Sequence, residues 1–268
     1  MSTAQATSEH RIPPRENDRM RQAAELMLQA RRELKPIDDL PKALRPCSLD
    51  EAYALQDVIA LAMGRVGGWK VGAPTPDATP LFAAIPLWGG FATSGDRIKK
   101  SFRRLRGVEA EIAFLLGRDL PPRDEPYTRE EVMGAIASAH PAIELLESAF
   151  VDPDKADRLS VIGDMQMNAG FVYGPAVAGW SSIDLSREAV TVIVDGRACF
   201  EGTASNSAGT DLLRLVTWLA NEGSFRTCGL HAGDWITTGS WSGKACCTSG
   251  SNVEVRFTNF GLVTLHFE

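Results

Sequence analysis

The chain has 268 residues, 44% of them hydrophobic and 23% charged, which suffices for one large or two modest domains with a proper core. A net charge of -6, with no basic block beyond residues 99–104, argues against nucleic acid or an anionic membrane as partner, and that short cluster reads as a solvated turn. Five cysteines, at 47, 199, 228, 246 and 247, form no CxxC pair and leave an odd count, so neither a zinc ribbon nor a disulfide framework is indicated and a cytoplasmic, reducing location is expected.

Residues 1–16 are polar and read as a frayed leader, the first twenty residues are expected to hold no apolar core for export, and no apolar stretch anywhere is long enough to span a bilayer. Helical spacing follows over Ala23–Ala30 and again over Leu49–Leu61, where Ser48 and Glu51 form the pattern of a capping box. Pro36, Pro41 and Pro46 separate the two helices. Residues 1–66 are thus expected to form an N-terminal helical cap, and residues 67–268 a mainly β, mixed α+β domain.

In that larger part the spacing predicts one helix near 128–139, opened by Thr128-x-x-Glu131. A second is expected over 211–222, with Leu212, Leu215, Val216 and Leu219 as its apolar stripe and Gly223 as its stop. Val190–Phe200 reads as a hairpin turning on Asp195-Gly196, and Gly233–Gly239, Val253–Phe257 and Leu262–Phe267 as a closing series of strands.

Glu109-Ala110-Glu111 interrupts Val108–Leu116, a run that otherwise reads as buried strand. Side chains alternate along a strand, so the two carboxylates share one face. At about 4 Å and an effective dielectric near 20 they repel by roughly 4 kcal/mol before any desolvation. A solvated sheet face accounts for Glu-x-Glu taken alone, since charged residues are seldom buried. However, Ile112–Leu116 lacks the alternation a half-exposed strand keeps, and Glu144 sits in a second apolar run, Pro141–Leu146. Three carboxylates with only oxygen donors favour a hard divalent cation, Mg²⁺ or Mn²⁺.

Four stretches carry a resemblance to the 2-keto-4-pentenoate hydratase branch of the fumarylacetoacetate hydrolase superfamily. They are Gly68-Trp-Lys-Val-Gly72, Val108–Pro121, Pro141–Ser148, and Ala232–Ser240 leading to Phe260-Gly261. The resemblance implies a twisted β-roll, homo-oligomers, and Mg²⁺ or Mn²⁺ held by Glu109, Glu111 and Glu144. It places the lysine of the family's Gly-x-Lys-x-Gly motif on Lys70 and the serine of its Gly-Ser turn on Ser240. A loop that reads Asp-Asn-Ala-Ser in many relatives keeps its acid here as Asp164, followed by Met165, Gln166 and Met167. Lys70 and Asp164 are the implied catalytic residues. Ser240, Gln166 and Asp77, the last equated with the family's acid, are the implied substrate contacts.

By the same resemblance the substrate is a small 2-oxo acid that chelates the ion through a carboxylate oxygen and the C2 oxygen. The expected reaction is hydration of a 2-hydroxy-2,4-dienoate to a 4-hydroxy-2-oxo acid in a meta-cleavage route. Decarboxylation of a vinylogous 2-oxo diacid needs the same chelate and electron sink and stands as the alternative, with acylpyruvate C–C hydrolysis and a non-catalytic metal-binding member behind it. Hydrolysis calls for a His-acid pair, and no histidine but His10 of the leader precedes the Glu-x-Glu strand. His140 is expected to serve a helix end. Glu147 is expected to point away from Glu144, and Met165 and Met167 to fill the core.

Overall fold

The computed structural model describes residues 17–87, 90–99 and 104–268; the leader with His10, and most of the basic cluster at 99–104, lie outside the described residues. Two helices begin the fold. α1 (Asp18–Glu33) is capped by Asn17, whose side chain accepts the Met20 N–H, and it closes on Leu34 in a left-handed conformation. α2 (Leu49–Ala62) has Ser48 as its N-cap, but only half of the expected capping box forms. Glu51 reaches past Ser48 to the Cys47 N–H at 2.6 Å and pairs with Arg19 of α1, so the acid tethers two helices instead of closing one.

The strands follow as β1 (Val66–Gly72), β2 (Leu81–Pro86), β3 (Phe91–Thr93), β4 (Arg97–Ile98), β5 (Gly107–Leu116), β6 (Ile136–Leu146) and β7 (Asn168–Tyr173). They continue as β8 (Ala189–Val194), β9 (Arg197–Thr203), β10 (Trp235–Thr237), β11 (Ala245–Cys246), β12 (Asn252–Phe257) and β13 (Gly261–Phe267). Eight of them make one sheet in the order β2-β1-β10-β5-β6-β7-β3, with β11 also on β5; a five-stranded sheet runs β4-β13-β12-β8-β9. This is the mainly β, mixed α+β architecture expected.

Alternation along β5 and β6 decides which side of the large sheet is which. Ala110, Ile112 and Phe114, with Ile143 and Leu145, turn into the main core with Val253, Val255, Val263 and Leu265 of the smaller sheet. The helical cap joins that same core through Met20, Ala24, Met27, Leu55 and Ile59. Glu109, Glu111 and Ala113, with Glu144, Ala142 and His140, occupy the opposite face.

Three further sequence expectations change. α3 (Arg129–Ala135) does open on a full Thr128/Glu131 capping box, yet it stops at Ala135, and residues 136–139 belong to β6 because pairing with β5 outweighs their local helical spacing. After α4 (Arg158–Gly163), α5 (Leu212–Trp218) does not end at Gly223; it runs through a wide turn over Leu219–Gly223 into α6 (Ser224–Thr227), and Cys228 takes the left-handed closing position. Gly223 is small for packing: a Cβ there would lie 2.7 Å from Leu219 Cδ1 and 3.8 Å from the Phe82 ring. His140 lies within β6 and not at a helix end, with Nδ1 2.8 Å from the Gly174 carbonyl and Nε2 2.8 Å from Ser138 Oγ. The Asp195-Gly196 hairpin forms as expected, both residues at positive φ.

Candidate active site

The antiparallel register of β5 and β6 sets Glu109 opposite Glu144 and Glu111 opposite Ala142, which gathers all three carboxylates on one face. One oxygen from each lies within 4.8 Å of the others. Lys70 reaches the same place by a different path. β1 pairs with β10, where Lys70 faces Thr237, and Thr237 in turn faces Ala113 of β5. Its Nζ donates to Glu144 Oε1 at 2.7 Å and to the Gln166 carbonyl at 3.1 Å.

Burial makes this cluster electrostatically expensive. Glu144 is fully buried and Glu111 is 1% exposed, while Glu109 is half-buried. Burial, then the Glu144 charge opposed by Lys70, pushes the Glu111 carboxyl well above its ordinary value. Glu109 is pushed up to about 7, by burial first and against the pull of Lys70. Burial also disfavours the Lys70 ammonium, but the Glu144, Glu109 and Glu111 charges outweigh it and hold its pKa above the ordinary value. One lysine does not neutralise three carboxylates, and Glu111 Oε2 and Glu144 Oε2 are buried with no hydrogen-bond donor among the described residues. Two orphaned carboxyl oxygens in an all-oxygen donor set fit a hard divalent cation.

A cleft of about 300 Å³ opens onto this cluster, walled by Val71, Gly72, Ala73, Pro74 and Leu81 on one side and by Gln166, Ser207, Gly239 and Ser240 on the other. Of the residues named from the sequence, Lys70, Glu109, Glu111, Gln166 and Ser240 line it, and Glu144 backs it through the Lys70 contact. Two others do not come to the cleft. Asp77 is exposed and is not part of its wall. Asp164 is fully buried behind it, with Oδ1 on Arg31 Nε at 2.8 Å and Oδ2 on Ser148 Oγ and the Ala149 N–H. Glu147 is turned away from the trio, its carboxylate accepting the Arg104, Leu105 and Ser148 N–H groups.

The turn after Asp164 is unusual. Met165, Gln166 and Met167 all have positive φ, at 57°, 48° and 67°, and a left-handed backbone costs roughly 1–2 kcal/mol for each such residue. That geometry aims the Gln166 carbonyl at Lys70 and its side-chain amide at the Phe82 carbonyl, 2.6 Å away. Met165 is buried in the core and Met167 is half-buried.

Sequence reasoning missed Arg158, Ser207, Asn168 and Arg31. Arg158 and Ser207 line the cleft, and the Asn168 amide donates to Glu144 Oε1 at 2.9 Å. Arg31 alone left a legible signal. It falls in helical register with Met20, Ala24 and Met27 on the apolar stripe of α1, where a cation needs a buried acid.

Residues 91–267 match the family description "Fumarylacetoacetate (FAA) hydrolase C-terminal". The chain belongs to the fumarylacetoacetate hydrolase family. Its resemblance to the hydratase branch extends over almost the whole length: it is 28% identical to 2-keto-4-pentenoate hydratase of Paraburkholderia xenovorans (strain LB400), covering 92% of this chain and 94% of that one. In fold it is similar to 4-oxalocrotonate decarboxylase from Pseudomonas putida G7, solved with magnesium and adipate, at a TM-score of 0.79 and 22% identity over 95% of this chain and 99% of that one. Fumarylpyruvate hydrolase from Pseudomonas aeruginosa, solved with Mn²⁺ and pyruvate, superposes at 0.56 with 14% identity over 75% and 88% of the two chains. Membership in a catalytic family, together with the carboxylate cluster, supports an enzymatic, metal-using role. No helix among the described residues is long and apolar enough to cross a membrane.

Proposed function

We propose that this family member is a Mg²⁺- or Mn²⁺-dependent lyase that decarboxylates a vinylogous 2-oxo diacid, with Glu109, Glu111 and Glu144 as the metal ligands. One observation carries the choice of reaction. Beyond the trio and Lys70, the described cleft wall holds no acid or imidazole that could serve as a base, since Asp77, Asp164 and His140 all lie elsewhere. Hydration needs a water activated at the conjugate carbon. Decarboxylation needs only an electron sink at C2–O and one proton.

When bound, the ion supplies Lewis-acid stabilisation of negative charge on the C2 oxygen. The residues of the chain do the rest. Lys70, held by Glu144 and the Gln166 carbonyl, stays charged and points into the cleft. The bond between the far carboxylate and its neighbouring carbon breaks, and its electron pair passes through the conjugated enone to the C2 oxygen. That oxygen takes a proton from Lys70, CO₂ leaves, and the product is a 2-hydroxydienoate. Val71, Ala73, Pro74 and Leu81 give the carbon chain an apolar wall, and Ser240 and Gln166 edge the space left for its oxygens. The likeness to a decarboxylase solved with a metal and a six-carbon diacid supports this reading.

Hydration of the 2-hydroxydienoate is the second reading, favoured by the names of the curated relatives. A single experiment separates the two. The protein is given a 2-oxo-3-enedioate with Mg²⁺ or Mn²⁺, and CO₂ and near-ultraviolet absorbance are followed together. The proposal expects CO₂ in step with the dienoate chromophore. Absence of CO₂, with loss of a supplied 2-hydroxydienoate and appearance of a 4-hydroxy-2-oxo acid, assigns the hydratase instead.

A further inference from the structure

Four hydrogen bonds that fasten α1 to the segments around residues 147 and 164–168 come from one side chain. Arg31, at the last turn of α1 and 4% exposed, donates from Nε to Asp164 Oδ1 at 2.8 Å. Its Nη2 donates to the Asp164 and Glu147 carbonyls, each at 3.0 Å, and its Nη1 to the Asn168 carbonyl at 3.2 Å. Asp164 and Asn168 are the two feet of the left-handed arch. Its crown, Gln166, meets Lys70, and its C-terminal foot, Asn168, donates to the same Glu144 oxygen that Lys70 holds.

From this we infer that Arg31 is a positioning residue of the active site: by pinning both feet of the 164–168 arch, it holds three consecutive residues in a left-handed path and thereby sets Lys70 and Glu144 in register with Glu109 and Glu111. The guanidinium suits the task because its planar fork donates in several fixed directions at once, which a lysine ammonium on a flexible stem does not reproduce. Asp164 acquires a role consistent with its burial. It is the counter-charge that lets Arg31 sit in the core, and its second oxygen ties the arch to Ser148 and Ala149 beyond the end of β6. The arch has no glycine to make its backbone easy, so its geometry depends on what clamps its ends.

The inference rests on the proposed metal-dependent reaction, and the test separates the two. Mn²⁺ alone is first titrated into the parent protein by electron paramagnetic resonance. Absence of tight binding there overturns the metal reading and with it this one, before any variant is made. With the parent established, Arg31→Lys is expected to lower kcat at least tenfold and weaken Mn²⁺ binding several-fold, while KM changes less than threefold. The discriminating variant is Arg31→Lys with Met167→Gly. Glycine takes a positive φ without steric cost, so the arch re-forms with a weaker clamp, and a large part of the lost kcat is expected back. If Arg31 merely glues α1 to the sheet, Arg31→Lys lowers the melting temperature with kcat and Mn²⁺ affinity within twofold of the parent, or the glycine fails to restore a lost kcat, and the inference is overturned. Should Arg31→Lys not fold, Asp164→Asn keeps the shape of that foot while removing its charge, and the same fall in kcat and recovery by glycine are required of it.

Discussion

One face of the large sheet carries two neighbourhoods that share a strand register and nothing else. At one end stand Glu109, Glu111, Glu144 and Lys70; a step or two along the same strands, Ala113, Ala142 and Phe171 are buried among Phe91, Tyr173 and Trp235. His140 belongs to the second group, its ring 4.7 Å from that of Trp235 and 6.0 Å from that of Tyr173. The charged end keeps orphaned carboxyl oxygens, while both ring nitrogens of His140 find partners. Backbone alternation chooses a face. Only the pairing of polar atoms tells its two ends apart.

The largest effects are expected where the charged end is cut. Glu144→Gln keeps the shape of the side chain and removes the charge that pairs with Lys70 and that the proposed metal would need. Because Glu144 is proposed as a ligand and not as an outer partner, Mn²⁺ affinity should fall by more than the roughly 10–100-fold typical of outer partners. Turnover should fall with it. A Mn²⁺ titration close to that of the parent would remove Glu144 from the ligand set.

Lys70→Met comes next. If the lysine delivers the proton, kcat should drop by about 10²–10⁴ with Mn²⁺ still bound, since the three carboxylates remain. Retained turnover with a raised KM would instead make Lys70 a binder of the substrate carboxylate.

These two cuts also mark how far the sequence could be read. Glu109, Glu111 and Glu144 were legible because the alternation of a strand is a local rule, and an acid inside an apolar run breaks it visibly. Residues 136–139 were not, because a segment with helical spacing was claimed by β5 across the sheet, and pairing overrides propensity. Gly223 misled for a related reason: it is small to admit Leu219, not to turn the chain. The arch at 165–167 lay furthest out of reach. Nothing in Met-Gln-Met announces a left-handed path, whose clamp comes from Arg31, 133 residues earlier than Asp164.

At the aromatic end the effects should be on stability and not on metal. Phe171 is fully buried opposite Glu144 and packs against Phe91, Tyr173 and Trp235. Phe171→Ala is expected to lower unfolding free energy by about 3–5 kcal/mol, as truncation of a core aromatic does. Mn²⁺ affinity measured on the folded fraction should change little. A loss of metal comparable to that in Glu144→Gln would show that the two ends of the face act as one site.

The smallest effect concerns His140. Burial lowers its pKa from the ordinary 6.5, against the opposing pull of the Gly174 carbonyl, so the fold holds the neutral ring. Above about pH 6.5 the ring is neutral folded or unfolded and contributes no pH dependence. As pH falls through that value the unfolded chain takes up the proton first, and stability declines until the folded ring also protonates. The raised Glu109 and Glu111 carboxyls push the metal-free protein the other way, since they favour the fold as they protonate. Subtracting His140→Gln from the parent cancels that shared contribution. Urea unfolding at pH 8 and pH 5 should then show the parent losing more, or gaining less, than the variant. Equal changes in the two proteins would mean that the ring is as easily charged inside the fold as outside it, and that the aromatic end is wetter than its packing implies.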